Sequence, residues 1–256
     1  MMEDYVLELI RDGRRVDGRK LDELRPVKVE TGIIKRAEGS AKVSLGDTVV
    51  LVGVKLDIGE PFPDTPNQGI LITNAEFSPI ASPDFESGPP GEDAIELARV
   101  VDRGIREGKI IDFEKLCIKE GEKVWMVFID IHVLNHKGNL VDASALAAMA
   151  ALLDAKFPKY DPEKDELDRE TLEGKLPINH KVVTVTLAKL NGKMLVDPIV
   201  DEEKVAEATL TIGVKEDGKV SSMQKSGGRG WFSYDEVSKA IDLAISKSKE
   251  LLKHLE

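Results

Sequence analysis

The sequence predicts an α+β protein of two similar lobes. Two observations carry that prediction. Alternating apolar runs separated by turn residues come first and lead into two helices, and the order of strands then helix returns after residue 178. The likeness of the lobes rests on element order alone, since no internal repeat is evident in the sequence.

The elements can be taken in turn. Residues 4–11 (DYVLELIR) have the spacing of a short amphipathic helix, and the Gly- and charge-rich stretch up to Pro26 reads as an extended arm. Val43, Leu45, Val49, Leu51 and Val54 suit strands, with Gly46-Asp47 as a hairpin turn. Residues 59–69 carry three prolines, which excludes a central strand. ILITNAEFSPI returns to strand, and a loop rich in Pro and Gly follows. In 92–107, Ala94, Leu97, Ala98, Val101 and Ile105 recur at helical spacing. Residues 123–135 form an apolar strand, and 142–155, with seven alanines, a helix buried close to a sheet. The charged stretch 158–178 shows little periodicity and reads as a linker. Strands fill 180–225, and Ser233 with Glu236 makes a capping box for a last helix. Trp125 reads as core, and Trp231 as a staple on that cap. The expected organisation is a helix and arm (1–25), a first lobe (26–157), a linker (158–178) and a second lobe (179–256).

Composition narrows the function classes. Apolar residues make up 41% and charged residues 32%, which is globular. No apolar run reaches the length of a membrane span, and the N-terminal stretch lacks the apolar core of a signal peptide, so a cytoplasmic protein is expected. A single cysteine, Cys117, excludes an internal disulfide and a cysteine-based zinc site. The net charge of −11 opposes non-specific nucleic-acid binding, so any RNA contact needs a local basic patch or a partner's surface.

Several motifs together resemble the RNase PH-like family. They are Arg15-Val-Asp-Gly-Arg19 with Glu23-Leu-Arg-Pro26 in the arm, the hairpin Ala37–Thr48, and Asn74–Asp93 running into the helix to Glu107. Within the family the last stretch is most similar to the non-catalytic ring subunits of archaeal exosomes. The resemblance spans nearly the whole chain. It implies two βαβα-type lobes of the RNase PH / ribosomal protein S5 domain 2-like architecture. It also implies a hetero-hexameric ring of three heterodimers with a catalytic RNase PH-like subunit. RNA-binding cap subunits would join that ring, and single-stranded RNA would be cleaved from its 3′ end by inorganic phosphate. Neither membrane nor DNA is an expected partner.

Phosphorolysis needs a cationic cradle for the attacking phosphate and a carboxylate at the leaving oxygen. Active relatives place the cradle arginine just before the alanine-rich helix. Here that position is Val141, and no Arg or Lys lies between Gly138 and Lys156. The family's two carboxylates, six residues apart, fall on Glu203 and Thr209. A valine and a threonine at these positions predict a chain that is not itself an enzyme and binds no cofactor. Phosphate, with magnesium if a metal assists, would be used at the partner's site.

Other constellations carry competing readings. Arg99, Arg103 and Arg106 make one basic stripe, read as RNA-backbone contact in preference to a solvated face paired with Glu96 and Asp102. Arg14, Arg15, Arg19 and Lys20 are read either as an RNA or subunit contact or as a salt-bridged arm, with Arg15 and Arg19 taken as RNA-binding candidates. Asp197, Asp201, Glu202, Glu203 and Glu207 read as solvated acids before they read as a metal site. His132 and His136 lack a third ligand. Ser226–Gly230 reads as a loop, because it lacks the Lys-Ser/Thr ending of a phosphate-binding loop. The favoured function is a binding and positioning subunit. The alternatives are an active phosphate-dependent exoribonuclease, or an assembly scaffold without RNA contact.

Overall fold

The computed structural model describes residues 2–256. The chain opens with α1 (Met2–Arg11) and the arm. The first sheet follows as β1 (Val27–Thr31), β2 (Gly39–Leu45), β3 (Thr48–Gly59) and β4 (Ile70–Phe77), then α2 (Glu92–Glu107), β5 (Cys117–Lys119), β6 (Lys123–Asn135) and α3 (Leu140–Asp154). A hairpin comes next, β7 (Lys156–Asp161) and β8 (Glu166–Lys175). The second sheet is β9 (Val182–Leu190), β10 (Lys193–Val196), α4 (Val200–Lys204), β11 (Ala208–Lys215) and β12 (Val220–Ser226), closed by α5 (Tyr234–Leu252).

The first sheet runs β1-β2-β3-β6-β4 with β5 on β6, and the second runs β10-β9-β11-β12. Only β4 and β6 pair in parallel; all other described ladders are antiparallel. The β2–β3 turn falls at Gly46-Asp47, where Gly46 takes φ +55°. Helix α3 packs against β2 and β3 on one side and β9 on the other. This explains its alanines: a helix apolar all round belongs between two layers, and short side chains let both sheets approach. One core therefore runs from Val43 and Ile131 through Ala147 and Met149 to Val185 and Ala244.

Two expectations are corrected. Residues 158–178 are not a free linker, since most of them form the β7–β8 hairpin. Nearly all of β8 is exposed on both faces, so no burial imposes apolar alternation, and periodicity could not show it. Arg169 ties the hairpin to the first lobe through Glu38 and the Leu56 carbonyl. The arm is not a separate unit either: Val6 and Ile10 of α1 pack on Ala188, Leu190 and Leu195 of the second lobe.

Overpacking the shared helix should be costly. Ala148 is fully buried, and Ala148→Leu should lower stability by about 1–3 kcal/mol, read from the urea midpoint.

Candidate functional site

The site forms where the N-terminus of α3 meets the loop after β10. Asn139 caps α3 in a left-handed conformation (φ 54°), and its Oδ1 accepts from the Asp142 N–H. Its side-chain amide donates to Asp142 Oδ2 and to Asp197 Oδ1, both at 2.8 Å. Asp197 is fully buried, also at positive φ. Its carboxylate further accepts from Arg25 Nη2 at 2.7 Å, and from Arg25 Nε, the Arg25 backbone N–H and Arg19 Nη1, each at 2.9 Å. Burial alone would raise the Asp197 carboxyl. The Arg25 guanidinium and Asn139 outweigh it and hold the group below the usual carboxylate range.

Arg25 reaches onward to the Lys137 and Gly138 carbonyls of the first lobe. Arg15 forms a two-pronged pair with Glu202 at 2.8 and 2.6 Å, both side chains fully buried, and also donates to the Val196 and Asp197 carbonyls. Arg15 and Arg19 are thereby corrected: they fasten the arm to the second lobe, and neither presents a free guanidinium to RNA. The acids are corrected with them. Asp197 and Glu202 are not solvated but hold these arginines. The signal was available as charge matching, four basic residues in the arm against the acids of 197–207.

Asp142 extends the network into the second sheet. It is buried and accepts from Thr184 Oγ1, Thr186 N–H and Thr186 Oγ1 at 2.8–2.9 Å. Thr186 Oγ1 meets Thr211 Oγ1 at 2.8 Å. Burial pushes the Asp142 carboxyl up to about 6 against the hydrogen bonds from Asn139, Thr184 and Thr186.

Above this floor lies a cavity of about 260 Å³, lined among others by Phe77, Phe85, His136, Val141, Glu203 and Thr209. Phe85 stacks between Phe77 (4.6 Å) and His136 (5.4 Å), and burial lowers the His136 pKa. The three positions read from the sequence, Val141, Glu203 and Thr209, come together here. Glu203 accepts the Asn139 backbone N–H at 2.7 Å, so a protein carboxylate already sits at the start of α3. Burial pushes Glu203 up to about 7, although the Asn139 N–H and Arg25 act in the opposite sense. Thr209 spends its hydroxyl on the Ser226 carbonyl. The lining includes no Arg or Lys, but does include Asp93, Glu96 and Glu203.

Magnitudes decide what such a cavity can hold. Two like charges 4 Å apart near a protein surface repel by about 4 kcal/mol. A helix N-terminus returns about 0.3–2 kcal/mol to an anion. A phosphate entering beside Glu203 therefore meets net repulsion unless Glu203 first takes up a proton.

The basic stripe on α2 divides. Arg106 bonds to Asp102 and to the Leu71 carbonyl and lies over Phe113, so its guanidinium already has protein partners. Arg99 and Arg103 are exposed, with no ion pair among the described residues. Glu96, an expected partner, instead accepts from Ser226 Oγ at 2.7 Å. His132 pairs with Glu76, and no group of three metal-binding side chains gathers among the described residues. Trp231 does not staple the α5 cap: it is exposed, and Phe232 packs inward in its place.

Both halves of the chain match known domains. Residues 23–158 match the 3′ exoribonuclease family, domain 1, and residues 180–247 match its domain 2. The chain belongs to the 3′ exoribonuclease (RNase PH) family. It is 53% identical over 253 residues to the exosome complex component Rrp42 of Methanocella arvoryzae, covering 99% of this chain and 95% of that protein. It is 52% identical to the Rrp42 of Thermococcus onnurineus, over 98% and 93% of the two chains. Among solved structures it matches a chain of the Archaeoglobus fulgidus exosome with RNA bound to the active site, at TM-score 0.91 and 49% identity, covering 100% and 98%. Rice Rrp46, at 18% identity and TM-score 0.71 over 94% and 98%, shares the fold.

Two predictions follow from the network. Asp197→Asn strands the buried Arg25 without its anion, while Arg19 keeps Asp17 at 2.7 Å, and should cost about 3–5 kcal/mol in the urea midpoint. Asp217→Asn, which removes an exposed pair with Lys219, should leave the midpoint almost unchanged. Glu203→Gln keeps an acceptor for the Asn139 N–H and removes the charge. The folded pKa lies above the usual 4.5, so the folded chain binds more protons between pH 4.5 and about 7 and loses stability as pH rises through that window. The variant should match the parent near pH 4 and exceed it by roughly 1–2 kcal/mol near pH 8, read as paired unfolding midpoints.

Proposed function

We propose that this chain is a non-catalytic ring subunit of an archaeal-type exosome. It pairs with a catalytic RNase PH-like subunit, shapes that partner's active site, and helps hold single-stranded RNA for 3′-to-5′ phosphorolytic degradation. One observation carries the reading: the cavity at the start of α3 keeps its floor and walls but has no cation, and its second carboxylate position is Thr209. The Rrp42 identity of the relatives and the RNA-bound exosome among the structural matches support the assembly.

In this reading three such heterodimers alternate in a ring, and RNA-binding cap subunits sit above it. Phosphate, with magnesium if a metal assists, is used at the partner's site. The assembly is cytoplasmic. The acidic net charge is met locally, since Arg99 and Arg103 face outward without carboxylate partners and can hold RNA phosphates. The chain's contribution to the reaction is positioning of the RNA backbone.

Phosphate-dependent shortening of a labelled single-stranded RNA tests this. The chain alone should be inert, and adding it should raise the activity of the catalytic subunit. Shortening by the chain alone that requires phosphate would sink the proposal. In the complex, replacing Arg99 and Arg103 with Ala should flatten the salt dependence of RNA binding by roughly 0.7 in log–log slope per lost contact. Arg106→Ala should leave that slope in place.

A further inference from the structure

The loop between β12 and α5 has no part in the reading above. Its backbone is pinned along its length. The Gly230 N–H donates to the Glu207 carbonyl at 2.8 Å. Lys189 Nζ donates to the Trp231 carbonyl at 3.1 Å and pairs with Glu236 at 2.7 Å. Phe232 packs on the core, and Ser233 caps α5. The approach to the Glu207 backbone is so close that a Cβ on Gly228, at φ +52°, would lie 1.9 Å from the Glu207 carbonyl oxygen. Only glycine permits that path.

This rigid loop turns two aromatic side chains outward. Trp231 is 75% exposed and Tyr234 87% exposed, although rings of this size are usually well buried. Arg229 between them and the sheet is exposed, with no ion pair among the described residues. The same edge carries α2, which packs along β12 and is tied to it through Ser226 and Glu96. Arg99 and Arg103 lie one and two turns beyond Glu96 on that side of the helix. Arg229 thus lies unpaired in one short loop with two exposed rings, in a chain of net charge −11, and the unpaired Arg99 and Arg103 belong to the helix that packs along the strand entering that loop.

We propose that this surface is a stacking platform for single-stranded RNA. Trp231 and Tyr234 take the faces of bases, while Arg229, in the same loop, holds a backbone phosphate. Unpaired cations among exposed rings fit a flexible polyanion with flat bases. The pinned backbone spares the ordering cost that a mobile loop would pay on binding. The recognition is indifferent to sequence, because every base has a face. The inference rests on the RNA-holding role proposed above and extends it from α2 across β12.

The test uses the assembled complex and a fluorescent single-stranded oligoadenylate. Trp231→Ala should weaken binding by about 5- to 100-fold and leave the salt slope unchanged, since stacking releases no counterions. Trp231→Phe should restore most of the affinity. Arg229→Ala should lower the slope by about 0.7. Unchanged affinity in Trp231→Ala would overturn the platform. So would failure of that variant to assemble on size-exclusion chromatography, because Trp231 would then be a subunit contact. If replacing Arg99 and Arg103 alters the slope while Trp231→Ala does nothing, the platform alone fails. If neither changes binding, the RNA-holding role falls with it.

Discussion

The buried Asp197 carboxylate is the interaction on which the rest of the structure depends. It gathers donors from the arm (Arg19), from the entry to the first sheet (Arg25) and from the cap of α3 (Asn139). A carboxylate with no solvent contact is tolerable only when its lone pairs are filled by cations and N–H groups, and here they are. Arg25 then carries the constraint to the carbonyls before α3, and Arg15 repeats the device with Glu202 of α4. Arm, first lobe and second lobe are fixed relative to each other at this point.

That constraint bears on function as well as on stability. The acids after β10 border the cavity at the start of α3. In this chain two of them, Asp197 and Glu202, are spent on internal arginines, and a third, Glu203, caps α3. The fold thus keeps its acidic strip for architectural reasons. The cavity keeps sound walls because its floor holds the two lobes together.

Much of this was legible in the residues. Helix α2 and strand β6 were readable because one buried face imposes a strong period, and Val141 and Thr209 because the family's spacing places them. Other features were hidden, each for a physical reason. Strand β8 is exposed on both faces and leaves no pattern. Arg15 and Arg19 look like solvent-facing cations until the fold brings acids from more than 170 residues away onto them. Arg106 separates from Arg99 and Arg103 only once Asp102, the Leu71 carbonyl and Phe113 are seen around it. Trp231 and Phe232 are adjacent, and periodicity cannot say which one turns inward.

The claim at the centre is that this cavity repels phosphate. A titration of the purified chain with inorganic phosphate, followed by phosphorus NMR linewidth near pH 8.5, where Glu203 is ionised, addresses it directly. No saturable broadening is expected at millimolar phosphate, because three carboxylates and no cation line the cavity. Saturable broadening that vanished on filling the cavity by Val141→Trp would mean that phosphate binds there after all, and the non-catalytic reading would lose its foundation.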